Sequence, residues 1–411
     1  MFPLSQPDNS PRKTGRVFAL ALGLIALIPP LAVHLFLPVI PAVKAALGLT
    51  EARAQLTFSI ALFGMAFATL IYGALSDRYG RRPVLLTGLT LFMIGGVVSA
   101  IATTADMLIL GRLVQAIGAG CAMTLARSIA RDAYRADQLV AAIAYLTMFS
   151  TVGPMVSPFV GGLLIDSFGW RSVFAFVLLA GGAITVTVGL VIHETLPPAK
   201  RVKAEGGGFV QSYVALFRRL RFNAFVLQTG FNSGAFMVMA SASASLMTDA
   251  LHRPAAEFGL YFLLFPVGFF VGNVVSSRVR NRASTETMVL IASVVTLVCI
   301  SAQAGLLWFG LMTPLVLFVP GFFLSLAQGI GLPYTQVGAM AEIPRFAGTA
   351  AGIGVFMQNF CGALFSQVYG LFADGTTLPM IVITLLCGAL CMAAGVVPMA
   401  IKLRGSGATP A

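Results

Sequence analysis

The side chain best suited to chemistry in this sequence is His34, which stands in the stretch PPLAVHLFLPVIP (29–41) among residues that are otherwise all apolar or proline. Histidine is the residue type that changes its charge between about pH 5 and 8. An imidazole in so apolar a segment can carry a proton, or it can hydrogen-bond to a ligand or to a neighbouring helix. The surroundings of His34 therefore decide its role.

A second polar pair lies in the stretch GRLVQAIGAG (111–120). Arg112 and Gln115 are three residues apart and therefore share one face of a helix. Arg112 lies about 9 Å along that helix from Asp106 at its start, at 1.5 Å per residue. It either extends back to the surface or faces an aqueous cavity, because a charged group is costly to bury in apolar surroundings. We expect the cavity.

The sequence does not indicate catalytic or metal chemistry. The three histidines, His34, His193 and His252, are far apart in the sequence, and no GxxxxGK[ST] loop for ATP is present. The five cysteines are odd in number and form no CxxC pair, so we expect buried free thiols. The sequence predicts no enzyme, no metal site and no cofactor.

The composition predicts that this chain is embedded in a lipid bilayer. Of its 411 residues, 58% are hydrophobic and 10% are charged, whereas soluble domains carry about 25% charged residues. The apolar runs are continuous and lack strand-like alternation, so helices are the expected spanning elements. The predicted fold is an all-α membrane protein.

Windows free of charged residues give the number of membrane spans. A span needs about 20 apolar residues to cross about 30 Å of hydrocarbon. Window 287–341 is long enough for two spans with a turn near WFGLMTP (308–314), and segment 107–126 is interrupted only by Arg112. Twelve spans are predicted in all. The remaining windows are 16–44, 54–76, 83–105, 138–165, 172–193, 222–248, 258–277, 346–373 and 375–401.

Arginine and lysine predict the orientation of these spans. With twelve spans both termini lie on one side of the membrane. That side collects twenty basic residues against four on the other side, Lys44, Arg53, Arg171 and Arg253. Positive loops are typical of the cytoplasmic side. We therefore expect both termini in the cytoplasm, which also explains the net charge of +12 without a nucleic-acid partner.

The longest polar segment, residues 194–222, falls between spans six and seven and divides the chain in two. We expect an amino-terminal six-helix bundle (1–195), a cytoplasmic linker (196–221) and a carboxy-terminal six-helix bundle (222–411). A short amphipathic surface helix is expected at 209–219.

Two basic loops favour an internal duplication. SDRYGRR (76–82) follows span two and SSRVRNR (276–282) follows span eight, with three residues in register. Parallel six-helix repeats are one transporter plan, in which substrate binds between the halves. Basic loops could also match by chance.

The loop GALSDRYGRRP (73–83) contains residues that are not needed to orient the protein in the membrane. Gly73 permits close helix contact, and Gly80 permits a tight turn. Asp77 adds a negative charge that orientation does not need, and it could cap a helix or pair with an arginine. The loop either locks the ends of two helices together or only fixes topology.

The stretch GPMVSPFVGGLL (153–164) predicts a bent and closely packed helix. Pro154 and Pro158 remove backbone donors and clash with the preceding turn. Gly153, Gly161 and Gly162 permit close packing and hinge motion. A functional hinge and an ordinary proline kink both remain open.

The loop 73–83 resembles a family signature. It is similar to the loop between helices 2 and 3 of the major facilitator superfamily, whose pattern is Gly-x-Leu-x-Asp-Arg-x-Gly-Arg-Arg. The resemblance implies two parallel six-helix bundles and a conformational gate at this loop that does not touch substrate. The matching residues are Gly73, Leu75, Asp77, Arg78, Gly80, Arg81 and Arg82.

Two further stretches resemble the drug/proton antiporters of this superfamily, which have twelve spans. Stretch 111–134 is similar to their helix-4 motif, with Arg112, Gln115 and Gly118 at its marked positions, and stretch 153–164 is similar to their helix-5 antiporter motif, which marks exporters. Five stretches resemble the bicyclomycin/chloramphenicol-resistance (Bcr/CflA-type) efflux pumps. They are LPVIP (37–41), SDRYGRRPVLLTGL (76–89), ARDAY (130–134), GWRSVF (169–174) and AGTAAG (347–352).

His34 departs from that branch, which usually has an aspartate at this position. None of the fourteen acidic residues lies deep within a predicted span, and Asp132 lies at a cytoplasmic end. Three interpretations of His34 remain open. It could carry the coupled proton in place of the aspartate. It could stay neutral and bind substrate or a neighbouring helix, with coupling through Asp132 or absent. It could also be a buried structural residue.

Other polar and aromatic side chains could line a central cavity or form interhelical hydrogen bonds. A mostly apolar cavity with few fixed charges suits a lipophilic, neutral or weakly charged compound. The candidates besides His34, Arg112 and Gln115 are Tyr145, Gln228, Asn232, Phe236, Tyr261, Gln328, Phe356, Gln358 and Asn359.

The resemblance implies a proton-coupled exporter of drug-like, lipophilic small molecules in the bacterial inner membrane. The two bundles would give alternating access to the site between them. The expected partners are the substrate, protons and the lipid bilayer, and a monomer is the default for this fold. A metabolite exporter or uniporter of the same fold, not coupled to protons, is the alternative.

Overall fold

A computed structural model describes residues 15–201, 208–279 and 282–406 of the chain. Within these ranges the chain is helical and has no strand, so the predicted all-α fold is confirmed. Residues 202–207 of the predicted linker and residues 280–281 of the predicted repeat lie outside the described residues. The helices are α1 (Arg16–Ile25), α2 (Ile28–Val33), α3 (Val39–Leu47), α4 (Glu51–Tyr79), α5 (Arg81–Ala100), α6 (Ala105–Ala119), α7 (Cys121–Ala133), α8 (Ala136–Phe168), α9 (Arg171–Val191), α10 (Gly208–Phe217), α11 (Leu220–Ser245), α12 (Ala255–Phe262), α13 (Leu264–Val279), α14 (Thr285–Trp308), α15 (Pro314–Ala341), α16 (Ala347–Phe372) and α17 (Leu378–Ser406).

Ten stretches of helix in the described ranges are long and apolar enough to cross a membrane. The candidate spans Arg16–Phe36, Ala105–Ala133 and Ala255–Val279 each combine two of the helices named above. Two more long helices, α11 and α16, have 26 residues each. These segments coincide with the twelve predicted spans. The double window breaks between α14 and α15, where Gly310 has a φ of 76°.

The first span is not one continuous helix. Pro29 and Pro30 lie in the first turn of α2, where a missing N–H breaks no helical hydrogen bond. A 3-10 turn, His34–Phe36, follows α2, and Pro38 precedes α3. The chain therefore places His34 in a tight turn where the span is interrupted.

The helices pack into two groups. In the amino-terminal group (α1–α9), α6 packs against α4 and α5. In the carboxy-terminal group (α11–α17), α15 packs against α11, α13 and α14. Glycines let the backbones meet, since a Cβ at Gly118 would lie 2.5 Å from the carbonyl oxygen of Gly88. The exact boundaries at 195 and 222 stay a prediction.

Helix ends and loops gather on two opposite faces. The ring of Phe18 at the start of α1 lies 6.0 Å from that of Tyr134 after α7. Lys402 in α17 binds Glu286 at the start of α14, at 3.1 Å. We call this the terminal face, because both ends of the described chain lie there. The opposite face, which carries the ends of α3 and α11, is called the distal face.

Candidate functional site

Charged side chains join the two helix groups at the distal face. The ammonium of Lys44 on α3 lies 2.7 Å from a carboxylate oxygen of Glu51 and 2.7 Å from one of Asp249, which belongs to the carboxy-terminal group. The Ser245 hydroxyl donates to Glu51 across the same junction, at 3.0 Å. Lys44, Glu51 and Asp249 are called the distal triad below.

A second distal contact caps a helix across the junction. The carboxylate of Asp166 at the end of α8 accepts hydrogen bonds from the backbone N–H groups of Ala255 (3.2 Å) and Ala256 (2.9 Å) at the start of α12. These N–H groups have no partner within their own helix, and the helix dipole favours an anion there. Asp166 therefore holds α8 to α12.

Uncharged side chains close the junction between α4 and α16. Gln55 donates to the hydroxyl of Ser366 at 2.7 Å, and the Ser59 hydroxyl donates to Gln367 at 2.6 Å. Gly370 leaves room for Gln55, since a Cβ added to Gly370 would lie 2.8 Å from the Cγ of Gln55. The distal half of the junction is thus closed.

The junction is open toward the terminal face. Phe67 and Phe356 meet midway along α4 and α16, with ring centroids 5.4 Å apart. Beyond them, a Cβ added to Gly348 or Gly352 on α16 would meet nothing within 4 Å. Among the described residues no hydrogen bond, ion pair or ring contact joins the two groups on the terminal side of Phe67 and Phe356, so the junction is closed distally and open terminally. We call the open space between the groups the vestibule.

His34 lies at the closed junction, half-buried. Its ring centroid is 6.5 Å from that of Phe236 and 6.3 Å from that of Phe262, both in the carboxy-terminal group. Nδ1 of His34 is buried without a hydrogen-bond partner in the described structure. The imidazole of His34, in the amino-terminal helix group, thus contacts two aromatic rings of the carboxy-terminal helix group.

Arg112 lies inside the amino-terminal group, with 2% of its surface exposed, and reaches neither the surface nor the vestibule. Its Nε donates to the carbonyl of Thr57 at 3.2 Å, and its Nη1 donates to Gln115 at 2.7 Å. Its guanidinium lies 4.1 Å from the ring centre of Phe36. In this conformation the Arg112–Gln115 pair joins three spans and does not line the vestibule.

The predicted polar pair on α11 is also internal. Gln228 donates to Ser293 at 3.1 Å, and Asn232 donates to Thr296 at 2.8 Å, both on α14. With Gln328 they border a cavity of about 10 Å³, which is room for one water molecule. These residues form interhelical contacts in the described conformation.

The remaining cavity candidates are dispersed. The Tyr145 ring lies 4.9 Å from that of Phe149, and the Tyr261 ring stacks on Phe318 at 5.6 Å. Asn359 donates to its own helix at Val355. Nε2 of Gln358 is buried without a partner in the described structure. Among these remaining candidates, Phe236 and Phe356 are the ones with a described ring contact to the opposite helix group, with His34 and Phe67 respectively.

The loop 73–83 is tied together by Arg81, which is 3% exposed. The guanidinium of Arg81 binds Asp77 at 2.7 Å and Asp132 at 2.9 Å. The backbone N–H of Arg81 donates to the carboxylate of Glu194 at 2.9 Å. Gly80 has a φ of 104°, which favours glycine. Asp77 therefore bonds within its own helix group in this conformation.

The other predicted gate residues lie around this loop. The Arg78 guanidinium lies over the ring of Tyr79, at 5.2 Å, and Arg82 donates to the carbonyl of Gly189 at 2.8 Å. A Cβ on Gly73 would lie 3.9 Å from Thr124 of α7, an ordinary contact distance.

The glycines of the helix-5 motif face three neighbouring segments. A Cβ on Gly153 would lie 2.5 Å from Pro30, and one on Gly161 would lie 2.6 Å from the carbonyl oxygen of Leu35. A Cβ on Gly162 would lie 2.6 Å from the carbonyl carbon of Ala255 in the other helix group. Pro154 and Pro158 both lie inside α8.

A sequence profile described as Major Facilitator Superfamily matches residues 22–366. The chain belongs to the major facilitator superfamily. It is a transporter and not an enzyme, and the resemblance of its motifs is confirmed.

Relatives of this superfamily member carry drug-resistance names. It is 30% identical to multidrug resistance protein D of Escherichia coli (strain K12), over 83% of this chain and 85% of that protein. It is 24% identical to a bicyclomycin resistance protein homolog of Haemophilus influenzae, over 90% of this chain and 92% of that protein.

Solved transporters share the fold. The nucleoside transporter NupG superposes with a TM-score of 0.76 at 14% identity, over 93% of this chain and 99% of that one. A D-xylose–proton symporter superposes with a TM-score of 0.72 at 16% identity, over 92% and 96% of the two chains.

Sequence reasoning missed the distal contacts of this major facilitator. The signal was present, because Lys44 is one of only four basic residues predicted on that side. Its partner Asp249 could not be identified, since it is 205 residues away. All five cysteines are buried and free as predicted, and no cluster of three metal-binding side chains occurs among the described residues.

Proposed function

We propose that this transporter exports lipophilic, drug-like small molecules from the cytoplasm across the bacterial inner membrane. The observation that carries the proposal is the drug- and bicyclomycin-resistance names of its relatives, which match most of both chains. In this proposal the terminal face is cytoplasmic, as the twenty basic residues favour. The described conformation then opens toward the cytoplasm, ready to take up substrate.

The chemistry around His34 supports a lipophilic substrate. Phe236 and Phe262 present aromatic rings opposite His34, and Phe67 and Phe356 form a second aromatic contact between the groups. Pockets of this kind bind aromatic and aliphatic ligands through apolar contact and a few polar groups. His34 supplies a polar atom beside these rings.

The proposed proton carrier is His34. It lies at the closed junction, against Phe236 and Phe262 of the other helix group, so rocking of the groups apart would expose it. Asp132 is the weaker candidate, because Arg81 binds it at the terminal end. The loop around Asp77 and the helix-5 motif are the proposed gate and hinge, and the protein is proposed to work as a monomer.

A second proposal is a metabolite exporter or uniporter that is not coupled to protons. It is favoured by the lack of acidic residues deep within the predicted spans. Such a transporter would move its substrate at a rate indifferent to the pH gradient.

Transport by purified protein in lipid vesicles tests both proposals. Uptake of a neutral amphiphilic antibiotic would be followed with and without an imposed pH gradient. The exporter proposal expects faster substrate movement when protons flow in the opposite direction. Movement that ignores the gradient would favour the uniporter, and no movement of any amphiphilic compound would contradict drug export.

A further inference from the structure

One face of α15 carries polar side chains that the proposed mechanism leaves unused. Gly321, Ser325 and Gln328 follow one another at spacings of four and three residues and therefore share that face. The exposed side chains Val319 and Val337 each lie nine residues from Gln328, or about 2.5 turns, and so occupy the opposite face. Gln328 thus points into the fold, and because it is only half-buried there, it borders open space inside the molecule.

This face of α15 is turned toward the junction between the helix groups. A Cβ added to Gly321 would lie 2.5 Å from the ring of Phe265. The Phe265 ring lies 5.3 Å from that of Phe236, which faces His34 of the amino-terminal group. Since α14 begins at the terminal face, α15 runs back toward it, and Gln328 lies about 10 Å nearer the terminal face than Gly321. The open space beside Gln328 therefore belongs to the vestibule.

Uncharged polar groups near this space lack partners in the described structure. Two of them are buried atoms, Oδ1 of Asn232 on α11, a residue that is 2% exposed, and Oγ of Ser325. The other arm of the Asn232 amide, Nδ2, donates to Thr296 on α14, which leaves Oδ1 as the atom free to accept. The amide of Gln328 also makes no hydrogen bond with a described residue. Because buried polar groups are nearly always hydrogen-bonded, these groups indicate a site for a ligand atom.

Asn232 and Gln328 border the same cavity of about 10 Å³ between α11 and α15. Among the described residues no charged side chain lines this cavity, and the other polar side chains along it are those of Gln228 and Thr229. One small group such as a hydroxyl or an amide N–H fits this volume, while the body of a larger compound would stay in the vestibule. An ion would find no counter-charge here, so the site suits an uncharged group.

We infer that Asn232 and Gln328 form a polar subsite that binds an uncharged N–H or O–H group of the substrate. The inference rests on the proposed export of lipophilic compounds, and it favours amides and alcohols over the corresponding esters and ethers. The donor of such a compound would bind Oδ1 of Asn232, and its oxygen would accept from the Gln328 amide. A compound without the donor would leave Oδ1 unpaired in a buried place, and a site of this kind rejects it.

Two probes of nearly equal shape test this. They are the N-methyl amide and the methyl ester of para-phenylbenzoic acid, in which an N–H of the amide is replaced by an oxygen in the ester. Binding to purified protein would be measured by equilibrium dialysis against empty micelles, so that partitioning into detergent is subtracted. The wild type is expected to bind the amide at least about tenfold more tightly. Asn232→Leu, which keeps the side-chain size and removes the acceptor, is expected to bind both probes alike.

A second variant, Gln328→Met, loses no hydrogen bond to a described residue and is expected to reduce the preference for the amide about threefold. Asn223→Leu is the matched control, since Asn223 lies at the terminal end of the same helix and donates to the carbonyl of Phe217. It is expected to retain the full preference. Melting in detergent shows whether each variant is folded.

Equal binding of both probes by the wild type, binding of neither, or an unchanged preference in Asn232→Leu would overturn the inference. If Asn232→Leu does not fold, an unchanged preference in Gln328→Met overturns it alone. Loss of the preference in Asn223→Leu would also overturn it, because the effect would then not belong to the cavity. Failure of the wild type to move the neutral antibiotic in vesicles would instead contradict the proposed function.

Discussion

His34 and Arg112 show how differently two polar residues in spans can be accommodated. His34 sits at the junction with one ring nitrogen lacking a partner and with Phe236 and Phe262 opposite. Arg112 is enclosed by a carbonyl, an amide and the Phe36 ring of its own helix group. His34 faces the other helix group and can meet a ligand or proton there, whereas the bonds of Arg112 join spans within one group, although its Nη2 also has no partner in the described structure.

Arg112→Gln should lower the thermal stability of the protein. The shorter side chain cannot reach Thr57 and Gln115 together and loses the contact with Phe36. Hydrogen bonds from a charged donor contribute about 1.5–3 kcal/mol, so a fall in melting temperature of several degrees is expected. Melting would be followed in detergent. Arg218→Gln, at an exposed arginine, is the control, and equal melting of both variants would contradict this structural role.

The sequence identified Arg112 as unusual but could not place it. Its spacing from Asp106 gave its depth, and the pairing with Gln115 followed from helical spacing. The Thr57 carbonyl and the Phe36 ring come from other spans, and one-dimensional spacing does not reveal them. The same holds for Gln228 and Asn232, whose partners lie on α14.

At the scale of elements, α8 is the helix that meets both sides of the junction. Gly153 and Gly161 accept the first span, whereas Gly162 accepts the start of α12 in the other group. Asp166 then caps that same start. The helix-5 motif is thus the surface along which the distal half closes.

Gly162→Leu should shift the protein toward distally open states. A Cβ at this position would already lie 2.6 Å from the carbonyl carbon of Ala255, and the rest of the side chain cannot fit. Spin labels on Phe168 and Leu251 would report a longer and broader distance across the distal face. Gly305→Leu is the matched control, since a Cβ there meets nothing within 4 Å. Unchanged distances in Gly162→Leu would refute this role of α8.

The sequence predicted the ends of the membrane-spanning helices well where apolar length and flanking charges determine them. The charge-free windows match the long helices, because about 20 apolar residues must cross the hydrocarbon. The interruption of the first span at His34–Phe36 was not predicted. A tight turn depends on packing against α8, which the sequence does not show.

At the scale of the molecule, closure depends on contacts between residues that are hundreds of positions apart. The distal triad, the Asp166 cap and the Gln55–Ser366 bond all lie on one side of the junction. Their loss would allow the groups to rock apart. Sequence motifs indicated a rocking transporter, but the conformation could be read only from these contacts.

Reversing the charge of Lys44 should open the distal face, and a second reversal should close it again. Lys44→Glu would place a carboxylate beside Glu51 and Asp249, and Lys44→Glu/Asp249→Lys would restore an attractive pair. The spin labels on Phe168 and Leu251 would report opening in the single variant and recovery in the double one. If the double variant stays open, the triad does not hold the halves together.

The charge of Lys44 in the distal triad should not respond to pH in the physiological range. Burial lowers the pKa of Lys44, but hydrogen bonds to Asp249 and Glu51 and their charges outweigh it, so its pKa is raised above 10.5. Because the pKa is raised in the closed state, the charge contributes to closure at all pH values below the usual lysine pKa. It is lost only as pH rises through the raised value. Lys44 is therefore expected to add no pH dependence to the distal spin-label distances between about pH 6 and 8.5.

The most direct test of the account is drug-driven proton release from vesicles that contain wild type, His34→Ala or His193→Ala, compared between about pH 5.5 and 8.5. His193 is an exposed histidine and serves as the matched control. We expect the drug to cause proton release from vesicles with wild type and with His193→Ala. We expect no proton release from vesicles with His34→Ala. Equal release from all three would contradict the assignment of the coupled proton to His34. No release from any of them would contradict proton-coupled export.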